Sequence, residues 1–232
     1  MTALKLFELV GTDQARPFSP FCWRTRMALA HKGLSAETIP WCLTEKDAIA
    51  PHQAETVPVL LDGDIAVVDS WTIANYLEDT YPDRPSLFGG EGGRAAGCML
   101  NWWGDVTVMA GLFPIIVVDI FSHLKPAGAA YFRKSREARL GKSLEDVAAG
   151  RDEAVEGFRK SLEPLRLTLK TQAYLGGEQP NYADYIVFGP FQLARLVSPF
   201  KLLTGDDPVH AWRERLLDAF DGMARKSPGY PV

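Results

Sequence analysis

The sequence predicts two domains of different class, an α/β domain followed by an all-helical domain. Signals for strands and helices alternate over residues 1–82 in the order β-α-β-α-β-β-α. A stretch rich in proline and glycine occupies 81–92, and nearly all of the remaining chain has helical periodicity. We therefore expect an N-terminal domain at 1–82 and a C-terminal domain at 92–232.

The first strand and the first helix meet at a candidate anion site. Residues 4–10 form an apolar run that ends at Gly11 and predicts a strand. A helix follows, with Ser19 at the N-cap, Pro20 at the first helical position and Gly33 as the C-terminal stop. The free N–H groups and the positive end of this helix can stabilise an anion such as a thiolate. The alternative is that Ser19 is only a helix cap.

The rest of the α/β domain is predicted from short apolar runs between turn residues. Pro40 restricts the second strand to the edge of the sheet, and Pro51 would end a short helix. An Asp-Gly turn joins the last two strands as a hairpin. Asp69 and Ser70 then cap a further helix. The predicted elements are strands at 36–42, 57–61 and 65–68 and a short helix over 44–50.

The C-terminal domain is predicted to be a bundle of helices. Ser143 caps a helix whose later part carries an apolar stripe typical of core packing, and Pro164 bends it. Asn181 and Asp184 form a candidate capping box for the next helix, and Asp207 caps the last one. The stripe consists of Val155, Phe158, Leu162, Leu165 and Leu169.

Composition and charge exclude several classes of protein. The 232 residues carry a formal net charge of −4, which argues against nucleic acid as the main partner. The longest apolar stretch, 106–121, is short for a membrane span and contains Pro114 and Asp119, so we expect a buried helix and no membrane contact. Three cysteines without metal-like spacing and scattered histidines indicate a reducing cytoplasm and no metal site.

Three motifs, in this order along the chain, resemble those of the cytosolic glutathione transferases. Ser19-Pro20-Phe21 looks like the catalytic-serine motif of the serine-type classes. Val57-Pro58-Val59-Leu60 looks like the glutathione-binding strand with its cis-proline, and Asp69-Ser70 looks like the acidic-Ser pair that holds the glutamyl end of glutathione. The family implies a thioredoxin-like N-terminal domain, an all-helical substrate-binding domain and a homodimer, with glutathione as co-substrate.

A closer similarity is to the bacterial β-etherase-type enzymes and a related fungal class, which use glutathione to cleave β-aryl ethers of lignin. It rests on 19–25, 60–77, Ser135-Arg136-Glu137 and 144–151. The reaction implied is attack of the glutathione thiolate on the carbon next to a carbonyl, with displacement of a phenolate. The alternatives are a general conjugating or peroxidase-type transferase, and a non-catalytic protein that binds glutathione or another ligand.

The resemblance assigns a role to each residue of the glutathione site. Ser19 would be the catalytic residue and would donate a hydrogen bond to the thiolate, since no base adjoins it to make it a nucleophile. The main chain of Val57, turned by a cis Pro58, would pair with the cysteinyl part of glutathione. Asp69 would bind the glutamyl ammonium, and the helix that starts at Ser70 would bind the glutamyl carboxylate.

The residue that binds the glycyl carboxylate of glutathione is left open by the sequence. Many relatives have Gly-Lys two residues before the cis-proline motif, whereas this chain has Glu55-Thr56 there. Gln53 is included in the predicted site, and Lys46 and His52 are the alternatives.

An apolar pocket for an aromatic electrophile is predicted above the thiolate. Its candidate residues are Phe21, on the first helix, and four residues at the start of the helical domain: Trp102, Trp103, Met109 and Phe113. The alternative for each of them is a place in the hydrophobic core.

Cys22 lies on the first turn of the helix, where the pKa of a thiol falls. In related thiol transferases the active cysteine occupies the position of Ser19, so Cys22 stands here without that partner. We interpret it as a small buried residue. A redox role is the alternative.

Overall fold

The computed structural model describes residues 4–232 and confirms an α/β domain followed by an all-helical domain. Residues 1–3, which the predicted first domain includes, lie outside the described range. The elements of the first domain are β1 Leu4–Leu9, α1 Pro20–His31, β2 Ala36–Trp41, β3 Val59–Asp62, β4 Ile65–Val68 and α2 Ser70–Thr80. The strands form one sheet in the order β2-β1-β3-β4, in which β2 is parallel to β1 and the other neighbours are antiparallel.

The two prolines of the region after α1 have different effects on the chain. Pro40 lies in β2, an edge strand, where its missing N–H removes no hydrogen bond from the interior of the sheet. The predicted helix over 44–50 is wrong, because the structure has two single 3-10 turns, Lys46–Ala48 and Ala50–His52. Pro51 lies inside the second turn, and without an N–H it cannot extend an α-helix from the first.

The second domain consists entirely of helices and the loops between them. A π-helical segment, Gly104–Met109, joins the first two of these helices without a break. Residues 81–90, which contain much of the proline- and glycine-rich stretch, form no regular element. The helices are α3 Glu91–Trp103, α4 Ala110–Ser122, α5 Pro126–Leu140, α6 Leu144–Ala149, α7 Arg151–Ser161, α8 Glu163–Leu169, α9 Tyr182–Val197 and α10 Pro208–Lys226.

The continuous helix Glu91–Ser122 is long and apolar enough to cross a membrane by length and composition alone. A core helix of a soluble protein can pass the same test, and α4 has the burial that such a helix needs: Leu112, Ile115 and Ile116 are fully buried. The expectation of a buried helix over 106–121 therefore holds for α4. It fails at its start, since Val106 is 66% exposed.

The single long helix predicted after Ser143 is three helices in the structure. Ser143 is the N-cap of α6, as predicted, and accepts a hydrogen bond from the Asp146 N–H at 3.1 Å. The chain breaks at Gly150, between α6 and α7, and again at Leu162, just before the Pro164 of α8. Because Pro164 has no N–H to bond to the preceding turn, α7 cannot continue through it. The apolar stripe still packs into the core, with Val155, Phe158, Leu162 and Leu165 buried.

Helix α9 passes through the middle of the domain, and all of its residues except Arg195 are buried. The predicted capping box is present at its start. The Asn181 side chain accepts from the Ala183 N–H at 2.9 Å, and Asp184 Oδ2 accepts from the Asn181 N–H at 3.0 Å. Asp184 also accepts hydrogen bonds from two further main-chain N–H groups, at 2.8 and 2.9 Å, and from the indole of Trp212 at 2.8 Å.

Helices α1 and α9 come into close contact where the two domains meet. A Cβ atom on Gly189 would lie only 2.4 Å from the Pro20 carbonyl oxygen, so no larger residue fits there. Arg24 of α1 is 1% exposed and donates to the Ile186 carbonyl at 3.1 Å. Its guanidinium also binds the Asp105 carboxylate at 2.7 Å. The start of α1 is thereby fixed to the helical domain.

Helix α10 begins at the predicted cap, since the Asp207 side chain accepts from the Val209 N–H at 2.9 Å. It is interrupted at 219–222, where Phe220, Asp221 and Gly222 all have positive φ. The Phe220 ring lies 6.1 Å from that of Tyr185 in α9. The interruption therefore directs an aromatic ring towards the domain core.

We predict that Asp184→Ala destabilises the protein by at least about 3 kcal/mol, because several buried N–H donors would each lose a partner at roughly 1–3 kcal/mol apiece. Urea unfolding followed by circular dichroism measures this change. Asp146→Ala is the matched control, since its carboxylate accepts from Ser143 Oγ in an exposed first turn. That substitution should cost less than about 1 kcal/mol. Equal losses in the two variants would contradict the structural role assigned to Asp184.

Candidate functional site

A cavity of about 280 Å³ lies between the two domains at the start of α1, and we call it the interdomain cavity. Its lining is mainly apolar, with Lys46 and Arg136 as its charged residues. The first domain contributes Leu9, Phe18, Ser19, Pro20, Phe21, Trp41, Leu43, Lys46, Thr56 and Val57, and the second contributes Met109, Phe113, Ile120, Tyr131, Phe132, Arg136 and Leu193.

Ser19 lies at the N-cap of α1 and lines the interdomain cavity. Its Oγ accepts a hydrogen bond from the Cys22 N–H at 3.3 Å, and its main chain is extended, with φ −64° and ψ 125°. A hydroxyl that accepts one hydrogen bond still has its own hydrogen to donate. Ser19 is therefore both the cap of α1 and a donor available to an anion in the cavity, which has the positive end of the helix beside it.

Cys22 does not reach the cavity. It is completely buried, and its thiol lies 3.8 Å from the Phe7 carbonyl oxygen. Burial, followed by the negative charge of Glu8, raises the pKa of the thiol to about 12. The expectation that a first-turn position lowers this pKa is thus wrong, because desolvation outweighs the helix dipole. The structure supports the interpretation of Cys22 as a small buried residue.

The Val57–Pro58 peptide bond is cis, as the resemblance implies, and Val57 lines the interdomain cavity. In residues 4–232, no main-chain hydrogen bond outside the regular elements involves Val57, which lies just before β3. Its N–H and C=O therefore have no partner within the described residues. Pro58 does not line the cavity, and its carbonyl accepts from the Asp69 N–H at 3.3 Å.

Asp69 is the N-cap of α2, and its main chain adopts φ +79° and ψ 136°. A positive φ is unfavourable for a residue with a side chain and is concentrated at functional sites. Asp69 Oδ1 accepts from the N–H groups of Trp71 and Thr72, both at 3.0 Å. Ser70 is buried, and its carbonyl accepts from the Tyr182 hydroxyl at 2.7 Å. Neither Asp69 nor Ser70 lines the interdomain cavity, but the Asp69 N–H bonds to Pro58, the residue after the cavity-lining Val57.

Of the three candidates for the glycyl carboxylate, the structure brings Lys46 to the interdomain cavity and Gln53 to a different one. Gln53 has φ +56°, and this left-handed turn directs it, with His52, to a shallow groove beside Asp64, in the turn between β3 and β4, and beside β4 itself. The Lys46 ammonium donates to the Glu55 carbonyl and lies 5.2 Å from the centre of the Trp41 ring. Gln53 thus lies outside the interdomain cavity, as Asp69 and Ser70 do, and its place in the glutathione site stays a prediction.

The predicted electrophile pocket is brought together in part. Phe21, Met109 and Phe113 line the interdomain cavity, whereas Trp102 is 62% exposed and Trp103 packs against the core. In a regular α-helix, Trp102 and Met109 would lie on one face. The π-helical segment between them takes about one extra residue per turn, which rotates the preceding residues by roughly 100°.

Helix α5 contributes cavity residues that the sequence analysis missed: Tyr131, Phe132 and Arg136. A signal for Arg136 was present in the sequence. The residues three and four positions away from it are Phe132, Arg133, Arg139 and Leu140, so no acidic residue on its own helix could pair with it.

In residues 4–232, no three histidine, cysteine, aspartate or glutamate side chains are grouped so that they could hold a metal ion.

Family models agree with this geometry over both domains. The model for the N-terminal domain of glutathione S-transferases matches residues 15–85, and the model for the C-terminal domain matches residues 99–214. This chain belongs to the glutathione S-transferase family.

Curated relatives of this glutathione S-transferase come from plants and fungi. It is 30% identical to the glutathione S-transferase-like protein ustS of Aspergillus flavus, across 79% of this chain and 77% of that protein. It is 38% identical to glutathione S-transferase 1 of Dianthus caryophyllus, across 72% of this chain and 69% of that protein. It is 36% identical to glutathione S-transferase Z2 of Arabidopsis thaliana, but that match spans 44% of this chain and 46% of the relative.

Solved structures with the same fold cover almost the whole chain. Glutathione transferase GSTFuA3 of Phanerochaete chrysosporium has a TM-score of 0.84 at 24% identity, over 96% of this chain and 97% of that one. A glutathione S-transferase of Ceriporiopsis subvermispora, in complex with glutathione, has a TM-score of 0.85 at 23% identity, over 95% of this chain and 98% of that one. The fold of this glutathione S-transferase is thus the expected one, a thioredoxin-like domain with a helical C-terminal domain.

We predict that iodoacetamide at pH 8 modifies Cys98 and spares Cys22 in the folded protein. Cys98 is exposed, whereas Cys22 is buried with a pKa of about 12, so only a very small fraction of it is thiolate at this pH. Peptide mass spectrometry after timed alkylation measures both rates, and urea-unfolded protein, in which both react, is the control. Rapid modification of Cys22 in the folded state would reopen the redox interpretation.

Proposed function

We propose that this glutathione S-transferase binds glutathione with its thiolate at Ser19 and transfers it to an apolar aromatic electrophile in the interdomain cavity. The observation that carries the proposal is the position of Ser19. Its hydroxyl lies at the positive end of α1 and lines a cavity whose opposite wall includes Met109 and Phe113 of the helical domain. A neighbouring fold, that of the Ceriporiopsis enzyme, has been solved with glutathione bound.

Ser19 would act on the glutathione thiol by stabilising its ionised form. A free thiol has a pKa near ~8.5, so little thiolate is present at neutral pH. A hydrogen bond to a charged acceptor contributes roughly 1.5–3 kcal/mol, and a helix N-terminus adds about 0.3–1 kcal/mol. The hydrogen bond alone lowers the thiol pKa by about one to two units, at ~1.4 kcal/mol per unit, and the helix adds to this. Among the cavity residues there is no histidine, aspartate or glutamate to act as a base, so the serine is a donor and not a nucleophile.

Glutathione would lie along the edge formed by Val57 and the start of α2. The open main chain of Val57 would pair with the cysteinyl residue, in the manner of an added strand. Asp69 would bind the glutamyl ammonium through the carboxylate oxygen that its cap leaves free, and the N–H groups at Ser70 would bind the glutamyl carboxylate. Lys46 would bind the glycyl carboxylate, since it is the cation that the first domain presents to the cavity.

Cleavage of a β-aryl ether is the specific reaction that we propose for this site. The thiolate would form a C–S bond at the carbon next to a carbonyl, and the ether C–O bond would break as a phenolate leaves and takes a proton from water. Support comes from the resemblance to the β-etherase-type enzymes and from the aromatic lining of the cavity, which includes Phe21, Phe113 and Phe132. The test measures turnover of β-aryl ether ketones and, in parallel, of chlorodinitrobenzene. Turnover of the ketones supports ether cleavage, and turnover of chlorodinitrobenzene alone indicates a general conjugating enzyme. Turnover of neither indicates a binding protein.

A homodimer is the assembly that we propose, and the exposed face of the first helix in the second domain supports it. Met99, Trp102 and Val106 are 68%, 62% and 66% exposed, and their spacing places them along one side of the helix. Contiguous apolar surface of this kind marks an interaction site. We further propose a cytoplasmic location, because Cys22, Cys42 and Cys98 are all free.

We expect Ser19→Ala to raise the pKa of bound glutathione by about one to two units and to slow conjugation at neutral pH. The wild-type thiolate would form at lower pH, so the rate deficit should shrink as the pH rises above the pKa of the variant complex. The measurement is the ultraviolet absorbance of the thiolate in the glutathione complex, titrated from acid to base.

Ser143→Ala is the matched control for this experiment, because Ser143 is also a serine N-cap but belongs to α6, away from the cavity. Both variants should lose roughly 0.5–2 kcal/mol of stability with the cap, while only Ser19→Ala shifts the titration. If wild type and Ser19→Ala titrate together, another group activates the thiol and the proposed role of Ser19 is wrong.

We predict that Trp102→Glu converts the protein to a monomer, because a charge would replace an apolar side chain at the centre of the proposed interface. Sedimentation equilibrium measures the change in mass. Leu167→Glu is the control, since Leu167 is 53% exposed on α8 and its substitution should leave the mass unchanged. A wild-type protein that sediments as a monomer would contradict the proposed dimer.

A further inference from the structure

Arg136 of α5 reaches the interdomain cavity with part of its guanidinium free. Its Nη1 donates to Ser135 Oγ at 3.0 Å, and its Nε is buried without a hydrogen-bond partner. In residues 4–232, no hydrogen bond from its Nη2 is present either. Nη2 is not among the buried side-chain atoms, so it is the donor that Arg136 offers to a carboxylate in the cavity.

No acidic side chain in the described part of the chain lies within 4.0 Å of this guanidinium. The acids beside it bind a different arginine of α5: Arg133 pairs with Glu137 at 2.8 Å and with Glu145 at 2.7 Å. The nearby Arg139 has the same charge as Arg136, and its guanidinium lies against the Phe113 ring at 5.3 Å. Burial, and then the charge of Arg139, lower the pKa of Arg136, which nevertheless stays protonated at neutral pH.

Packing alone does not account for this placement. The Arg136 guanidinium lies 4.9 Å from the centre of the Phe132 ring, a contact that stabilises a cation. The Nε of Arg136 is closed to water and has no partner, as is also true of Arg16 and Arg94, so a ligand cannot reach it without a movement of the side chain. Nη2 is not among these buried atoms and has no protein acceptor, so an anion in the cavity can accept its hydrogen bond.

We propose that Arg136 binds a carboxylate on the acceptor substrate, and that the acceptor is therefore an aromatic electrophile with a carboxylate group. The inference rests on the proposed function, because it places the acceptor opposite the thiolate at Ser19. Glutathione needs one cation for its glycyl carboxylate, and Lys46 of the first domain is available for it. Arg136 belongs to the helical domain. Phe113 and Phe132 of that domain line the same cavity, and their rings would contact the aromatic group of the acceptor.

Arg136 would thus be a specificity-determining residue and would not take part in bond making. It would contribute to binding of the carboxylated acceptor in the ground state and in the transition state. A neutral acceptor of the same shape would leave the charge of Arg136 and its Nη2 donor without a partner and would bind less tightly.

The test compares chlorodinitrobenzoate with its methyl ester, two acceptors of nearly the same shape that differ by one charge. Their kcat/KM values are measured at saturating glutathione and divided by the uncatalysed rates, and the ratio of acid to ester gives the selectivity. Arg136→Gln should lower this selectivity roughly tenfold or more, the usual effect of losing a charge-assisted hydrogen bond. Arg136→Lys should retain part of the selectivity, because lysine keeps the positive charge but lacks the planar set of guanidinium donors.

Lys134→Gln is the matched control, since it removes the same charge from an exposed position of α5 that does not line the cavity. Its selectivity should equal that of wild type. An Arg136→Gln variant that lowers acid and ester turnover equally, or that leaves the selectivity unchanged, overturns the proposal.

A measurement on the wild-type protein needs no folded variant. Dinitrobenzoate and methyl dinitrobenzoate lack the leaving group and can be tested as inhibitors of the conjugation of methyl chlorodinitrobenzoate. The inhibition constant of the acid should be at least about tenfold lower than that of its methyl ester, and added salt should reduce the difference. Equal inhibition by both compounds overturns the carboxylate site. The proposed function fails separately, if bound glutathione shows no thiolate absorbance at neutral pH and neither electrophile reacts above the buffer rate.

Discussion

The close contact of α1 with α9 is the constraint on which the site depends. Gly189 lets the Pro20 carbonyl approach α9 to a distance that no Cβ allows, and Arg24 fixes the next turn of α1 through the Ile186 carbonyl and Asp105. Ser19 immediately precedes this contact. The hydroxyl at the helix start, the dipole behind it and the wall of the helical domain are therefore held in one arrangement without any contribution from a bound ligand.

The features that the sequence predicted well are those governed by neighbouring residues. The caps at Ser19, Asp69, Ser143 and Asp207 are all present, and each depends on a hydrogen bond to an N–H two or three residues away. The order of the four strands and of α1 and α2 follows in the same way from runs of apolar residues between turns, whereas the helix predicted over 44–50 does not form. The cis bond at Pro58 was implied by the resemblance alone, since an isolated X–Pro dipeptide carries little information on its isomer.

The features that the sequence did not predict depend on contacts between distant parts of the chain. Trp102 and Met109 were both candidates for the apolar pocket, and no local sequence signal predicted the π-helical segment that separates their directions. Burial of Cys22 against Phe7 raised a pKa that helix position alone would lower. Arg136 reaches the cavity because α5 contributes to its wall, and the sequence shows only that no acidic residue lies three or four positions from it.

The contact at Gly189 also makes the two domains poor candidates for recombination between relatives. The position of Ser19 relative to the helical domain depends on how closely α1 approaches α9. That approach requires glycine at position 189 of one domain beside the Pro20 carbonyl of the other. A helical domain taken from a protein with any larger residue there would tilt the start of α1 and misalign the nucleophile. Divergence of acceptor preference is therefore easier through the side chains of α4 and α5 than through exchange of whole modules.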